Sequence, residues 1–173
     1  MAGIAHAAVG LAAKPLVPEV NVGWLILGTF VLDILWVAFW CVGLETSPAN
    51  PAAHPPWWDH SLLMAVVWSV LFGLLAYWLG RRSRHRTSIG VVFGLMVFSH
   101  WVLDWITHPM TALSLSDKGI PVAFGNSPLV GLGLYRSLTV VWVTEIGGLL
   151  AGLAVYIVWR VRSKHPQPAA EPV

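Results

Sequence analysis

The chain has 173 residues, of which 57% are hydrophobic and only 10% are charged, and its mean hydropathy is +0.71. A soluble domain carries about 25% charged residues, so this composition excludes a free-standing cytosolic enzyme, a coiled coil and a disordered chain. Cys41 is the single cysteine, which excludes an intrachain disulfide and a cysteine-rich zinc site.

The first apolar segment, Met1–Ala13, is followed by Lys14-Pro15. A helix of about 12 residues is roughly 18 Å long, which is too short to cross a bilayer. The segment also lacks the basic start and the apolar length of a signal peptide. We expect a half-membrane or interfacial helix that carries His6.

Four longer segments reach the length of about 20 mostly apolar residues that a membrane span needs. The predicted fold is therefore all-α and polytopic, with four transmembrane helices in one membrane-embedded domain over residues 1–160 and a disordered cytoplasmic tail over 161–173. The predicted spans are Val22–Leu44, Ser61–Gly80, Ile89–Thr107 and Ser137–Trp159.

Basic residues cluster beside the apolar segments, at Arg81–Arg86 and at Arg160–Lys164. This placement marks membrane topology and not a nucleic-acid footprint. By the positive-inside rule both clusters and both termini are cytoplasmic. The segment Met110–Tyr135 is then an outer loop, either a lid or a connector.

Three carboxylates lie inside the predicted spans, Asp33, Asp104 and Glu145, whereas all ten Lys and Arg residues lie outside them. An ionised carboxylate in hydrocarbon costs a few kcal/mol even on the lenient insertion scale. A proton, a metal cation or a water-filled cavity must offset that cost.

The third span carries His100, Asp104 and His108 at four-residue spacing, which places them along one helix face. A His and an Asp on one face are suitable ligands for a divalent first-row metal. The alternative is an Asp that is hydrogen-bonded to Ser or Thr on neighbouring helices.

Further candidate ligands fall at comparable depths. Rises along the helices bring His6, Asp33 and His100 to one mid-membrane level, whereas His60 falls nearer the outer surface. His60 has Asp59 beside it as a candidate orienting partner. The alternatives are an interfacial histidine at position 60 and an exposed N-terminal histidine at position 6.

The order of these residues resembles the predicted membrane-bound metal-dependent hydrolases of the YdjM-like group, which is held to be distantly related to zinc-dependent phospholipase C and the fungal single-strand nucleases. The resemblance covers residues 1–108. It rests on an early His (His6), an Asp on the next helix (Asp33), His-Ser-Leu-Leu (from His60) and His-x3-Asp (His100 and Asp104).

The resemblance implies that Asp104 bridges two metal ions, that Asp33, His60 and His100 hold one of them with it, and that His6 holds the other. Two further residues resemble ligands of the soluble relatives less closely. His108 follows at a shorter spacing, and Glu145 has Val141 where the relatives have a histidine.

The implied function is hydrolysis of a phosphoester, with a lipid head group as one substrate, by two divalent ions, zinc or alternatively manganese. Asp33 would orient the attacking water as a general base. Ions about 4 Å apart require that the carboxylates of Asp33 and Asp104 lie within about 8 Å of each other. The implied location is a bacterial inner membrane.

Two non-enzymatic alternatives stay open at this point, a pathway for protons or metal ions and a membrane scaffold. The lipid bilayer is the expected partner, and no nucleic acid is expected. Gly148-x3-Gly152 permits close helix packing, within the chain or between copies in a homo-oligomer.

Overall fold

The structure is a computed structural model that describes residues 3–45 and 55–164, and these residues are mostly helical. The all-α class is therefore confirmed, with one small antiparallel sheet in addition. In chain order the elements are α1 (Ile4–Ala12), α2 (Val22–Thr29), α3 (Val31–Cys41), α4 (Trp57–His60), α5 (Leu62–Leu79), α6 (Arg86–Thr107), β1 (Ile120–Pro121), β2 (Leu129–Val130) and α7 (Leu138–Lys164).

Three of the helices, α5, α6 and α7, are long and apolar enough to cross a membrane. The pair α2 and α3 brings the number to four if it counts as one span. Their outward faces are apolar, since Leu74, Trp78, Trp142 and Leu150 are each more than half exposed. Such faces fit placement in a membrane, where lipid covers them.

The first predicted span is not one straight helix. It divides at Phe30, whose backbone leaves the helical region at φ −108° and ψ 5°, and α2 and α3 are bent by 56°. The Thr29 hydroxyl satisfies the end of α2 by donating to the Ile26 carbonyl over 2.7 Å. The bend places the Thr29 carbonyl next to α6, where a histidine uses it.

Other helix ends agree with the sequence. The Asn21 side chain accepts the Gly23 N–H at the start of α2, and the Ser61 hydroxyl accepts the Met64 N–H at the start of α5. Helix α6 ends at Thr107, before His108-Pro109, as a residue that precedes proline requires.

Helix α1 is the expected short N-terminal helix, and it packs between α2 and α7. Glycines make both contacts close. A Cβ at Gly10 would lie 2.7 Å from the backbone of Ile26, and one at Gly152 would lie 2.4 Å from the Ala8 carbonyl oxygen. Larger residues at these two positions would therefore push α1 away from its neighbours.

Lys14 fixes the other end of the α1 segment. Its buried ammonium donates to the carbonyl oxygens of Pro18 (2.7 Å) and Val20, and it lies 5.3 Å from the centre of the Trp159 ring on α7. The basic side chain thus closes the turn after α1 and ties it to α7.

Residues 110–135, called the outer loop after their predicted side of the membrane, are folded against the ends of α5 and α6. Strands β1 and β2 pair within it, and the Val122 carbonyl accepts the Leu63 N–H at the start of α5. The Leu132 N–H donates to the Trp105 carbonyl over 2.8 Å. The loop therefore lies next to α4, which carries His60, and next to the end of α6 that carries Asp104.

The sequence assigned residues 161–173 to a tail. In the structure α7 includes residues 161–164, and its described part ends at Lys164. The remaining tail and loop residues 46–54, with His165 and His54, lie outside the described residues.

Candidate metal centre

Five side chains from four helices meet in one cluster. His6 comes from α1, Asp33 from α3, His60 from α4, and His100 and Asp104 from α6. Four of these side chains are 2–11% exposed, whereas the Asp33 side chain is 44% exposed. The cluster is therefore enclosed by the helices and accessible on the side of α3.

Two carboxylate oxygens and two imidazole nitrogens form the centre of the cluster. His60 Nε2 lies 3.5 Å from both Asp33 Oδ1 and Asp104 Oδ2. His100 Nε2 lies 3.6 Å from Asp33 Oδ1 and 3.4 Å from Asp104 Oδ2. Because both oxygens lie within 3.6 Å of the same nitrogens, the two carboxylates lie within the 8 Å limit that two metal ions about 4 Å apart require.

The spacing of these atoms is compatible with a bound metal ion. Bonds from zinc, taken as an example, to nitrogen and oxygen are about 2.0–2.1 Å, and a tetrahedron of that size has edges of about 3.3–3.4 Å. The four nitrogen–oxygen distances, 3.4–3.6 Å, are close to four of its six edges. Asp33, His60 and His100 form one group of candidate ligand atoms within 4.8 Å of one another, and His6, His100 and Asp104 form another. We call Asp33, His60, His100 and Asp104 the four-donor set, and these residues could hold a divalent metal ion.

Hydrogen bonds fix the tautomers of both histidines in the four-donor set. His60 Nδ1 lies 2.5 Å from Asp59 Oδ1, and His100 Nδ1 lies 2.7 Å from the Thr29 carbonyl oxygen. Both oxygens only accept, so both Nδ1 atoms carry the proton and donate. In the neutral form of each ring, Nε2 then carries the lone pair and faces the two aspartates, which is the arrangement that ligating histidines need.

His6 lies on the other side of Asp104. Its Nε2 is 3.6 Å from Asp104 Oδ1, and its ring centre is 4.2 Å from that of His100. Both ring nitrogens of His6 are buried without a hydrogen-bond partner. Buried polar atoms are rarely left unpaired, so His6 fits a ligand position that a bound cation would complete.

The charges of the cluster favour a cation. Burial alone would lower the pKa of His60, but hydrogen bonds to Asp33 and Asp59 and the charge of Asp104 raise it to about 10. The centre therefore attracts a positive charge, which either a proton or a metal ion supplies.

The structure places the two less similar candidates elsewhere. His108 Nδ1 lies 2.8 Å from Asp117 Oδ2 in the outer loop. The Glu145 carboxylate accepts the Tyr135 hydroxyl at 2.7 Å and the Ala5 N–H at 2.8 Å. Within the described residues, neither belongs to the groups of ligand atoms that lie within 4.8 Å of one another. A metal role for either stays a prediction.

The sequence analysis assigned His60 too little weight as a ligand. It also did not identify Thr29, which contacts His100, or Tyr135, which contacts Glu145. The depth comparison assumed straight, parallel helices, whereas the short helix α4 packs directly on α3 and brings His60 to Asp33. Thr29 could not be identified from the sequence because its backbone carbonyl accepts the His100 hydrogen bond, and every residue has a backbone carbonyl. Tyr135 lies in a loop, and no local pattern connects it to Glu145.

Comparison of the chain with protein-family models, curated proteins and solved structures finds no match to any of them. The function of the chain is therefore inferred from the cluster itself and from the order of its residues.

Proposed function

We propose that this chain is a membrane-embedded hydrolase that uses divalent metal ions, zinc or alternatively manganese, to cleave a phosphoester. The observation that carries the proposal is the four-donor set, whose oxygens and nitrogens are 3.4–3.6 Å apart with both Nε2 lone pairs directed inward. The YdjM-like order of the same residues supports it independently of the geometry.

The residues divide between two metal positions. The four-donor set would supply the ligands of the first. His6 Nε2 and Asp104 Oδ1, which are 3.6 Å apart, would contribute to the second, so Asp104 would serve both positions. Four protein ligands close a zinc site, whereas a catalytic site keeps a position open. The second position, with fewer protein ligands, is therefore the one that leaves room for water and substrate.

Divalent ions would neutralise the phosphate charge and lower the pKa of an attacking water. The chain's own contribution is placement and proton transfer. Asp33 is the accessible carboxylate of the cluster, and its Oδ1 belongs to the four-donor set. Its second oxygen would accept a proton from an incoming water as the water oxygen bonds to phosphorus, the phosphorus–oxygen bond to the leaving group breaks, and the leaving group departs with the electron pair and takes a proton from solvent. The buried histidines hold the ligands in place.

A hydrolysis assay in lipid nanodiscs tests the function. We expect zinc-loaded protein to cleave p-nitrophenyl phosphate or bis(p-nitrophenyl) phosphate, chelator to abolish cleavage and added zinc to restore it. Asp33→Asn should lower the rate about 10²–10⁴-fold, which is the usual contribution of general base catalysis. Metal-loaded protein that cleaves neither ester contradicts the proposal, and metal or proton flux in liposomes would favour a transport pathway instead.

We also propose that the chain lies in a bacterial inner membrane with four spans, α2 and α3 together forming one, and with both termini in the cytoplasm. The Arg81–Arg86 cluster supports this orientation through the positive-inside rule. A cysteine at position 84 in a Cys41→Ser background should resist membrane-impermeant reagents in intact cells. Rapid labelling there would reverse the topology.

A further inference from the structure

The buried carboxylate of Glu145 has a role that the sequence resemblance does not give it. Glu145 lies on α7 and is 4% exposed, and its two oxygens have different partners. One accepts the hydroxyl of Tyr135, itself 1% exposed, and the other accepts the N–H of Ala5. Glu145 thus joins the outer loop, α7 and the first turn of α1.

The start of α1 needs such a partner. The first N–H groups of a helix have no acceptor within the helix, and Gly3 at the cap position of α1 offers no side chain. The first turn also lacks an acidic residue. A carboxylate from α7 satisfies one of these N–H groups and interacts favourably with the positive end of the helix.

The residue that follows this contact is His6. No hydrogen bond orients its ring, since both nitrogens lack a partner. The position of His6 Nε2, 3.6 Å from Asp104 Oδ1, therefore depends on where the backbone of α1 sits. Two contacts place the backbone of α1. Ala8 packs against Gly152, and the N–H of Ala5 donates to Glu145.

We infer that Glu145, held by Tyr135, is a positioning residue that fixes the start of α1 and thereby places His6 at the second metal position. This inference rests on the proposed two-metal function. Glu145 acts through the backbone of Ala5 and is not itself a ligand. The first position, formed by the four-donor set, should be independent of it.

Zinc titration of the purified full chain in nanodiscs tests the role. Wild type should bind two zinc ions. Glu145→Gln keeps the size of the side chain but loses one acceptor. We therefore expect the affinity for the first zinc to be unchanged and the affinity for the second to fall by about 10–100-fold, as for other residues that orient ligands. Glu19→Gln is the matched control, because Glu19 accepts the exposed Ser83 hydroxyl and lies outside the cluster, and this variant should bind zinc like wild type.

Two more variants separate positioning from ligation. His6→Ala should lose the second zinc, and adding Glu145→Gln to it should weaken binding no further. Tyr135→Phe releases one oxygen of Glu145. If Glu145 is a positioning residue, this variant should bind the second zinc more weakly. If Glu145 is itself a ligand, the affinity for the second zinc should stay the same or rise. The inference is overturned if Glu145→Gln leaves the affinity for the second zinc unchanged, or if Tyr135→Phe leaves it unchanged or raises it.

Amide hydrogen exchange tests the contact between Glu145 and the Ala5 N–H in the absence of metal. Glu145→Gln should speed exchange at residues 4–7, while Glu19→Gln should not, and unchanged exchange there overturns the inference. The first zinc site serves as the check that the variants fold. If wild type binds no zinc, the proposed function fails, and this exchange result still decides whether Glu145 holds the start of α1.

Discussion

The two sides of the candidate metal centre are built differently. His60 and His100 are oriented by their own hydrogen bonds, to Asp59 and to the Thr29 carbonyl. Within the described residues, neither ring nitrogen of His6 has a hydrogen-bond partner, so the placement of α1 and ring contacts with His100 and Phe30 hold it. Hydrogen bonds to its histidines therefore organise the four-donor set, whereas helix packing organises the second position. Variants should change the metal affinity of one position without changing that of the other.

Asp104 is the exception, because its two oxygens face both sides, and it should give the largest effect. Asn keeps the size of the side chain and loses the charge that holds two cations together. We expect Asp104→Asn to lose both zinc ions, beyond the roughly 100-fold loss typical when a residue that only orients a ligand is changed. Metal analysis of folded, purified protein measures this.

Asp117→Asn is the control for that variant, since Asp117 contacts His108 and backbone N–H groups in the outer loop and lies outside the cluster. It should keep both zinc ions. An Asp104→Asn protein with the zinc content of wild type would show that Asp104 is a hydrogen-bonded, neutral residue.

Asp59→Asn tests the side that depends on hydrogen bonds. Asp59 is fully buried and holds the Nδ1 proton of His60, so an amide there permits the wrong tautomer. We expect about 10–100-fold weaker binding at the four-donor set, measured by competition with a chelator. Equal weakening of both positions would contradict their separate construction.

Gly152→Ala tests the side that depends on packing. The added Cβ would lie 2.4 Å from the Ala8 carbonyl oxygen, whereas the same change at Gly148 meets Ala5 at an ordinary 3.5 Å. Overpacking of this kind costs about 1–3 kcal/mol. We expect Gly152→Ala to weaken only the second zinc and Gly148→Ala to change neither, as read from stepwise zinc titration.

The outer loop should show the smallest effect. Burial alone would raise the pKa of Asp117, but His108 and the N–H groups of Met110 and Gly119 lower it below its usual value. Its contribution to stability is therefore present above the pKa of the unfolded chain and is lost as pH falls through the lower folded value. Hydrogen exchange of residues 110–119 should accelerate at acid pH, and Asp117→Asn should flatten that dependence.

Parts of this arrangement are readable from sequence because they are local. The spacing of His100 and Asp104 places them on one helix face, and Ser61 marks the start of α5. Periodicity and caps act over a few residues, and tertiary packing rarely overrides them in long apolar helices.

Other parts are not readable because they depend on contacts between distant segments. The break at Phe30 has no proline to mark it, and Gly28 beside it resembles the other glycines of the apolar segments that do not break a helix, although the break exposes the carbonyl that orients His100. Glu145 resembles a metal ligand by its order in the chain, whereas its actual partners, Ala5 and Tyr135, depend on how α7 packs against α1 and the loop.

The central claim is that the four-donor set binds a metal ion, and zinc K-edge X-ray absorption of protein given one equivalent of zinc tests it most directly. We predict two imidazole nitrogens and carboxylate oxygens at about 2.0–2.1 Å, with the imidazole signal reduced to one in His100→Ala. Zinc that stays unbound, or a bound zinc whose surroundings are the same in His100→Ala as in wild type, would contradict the claim.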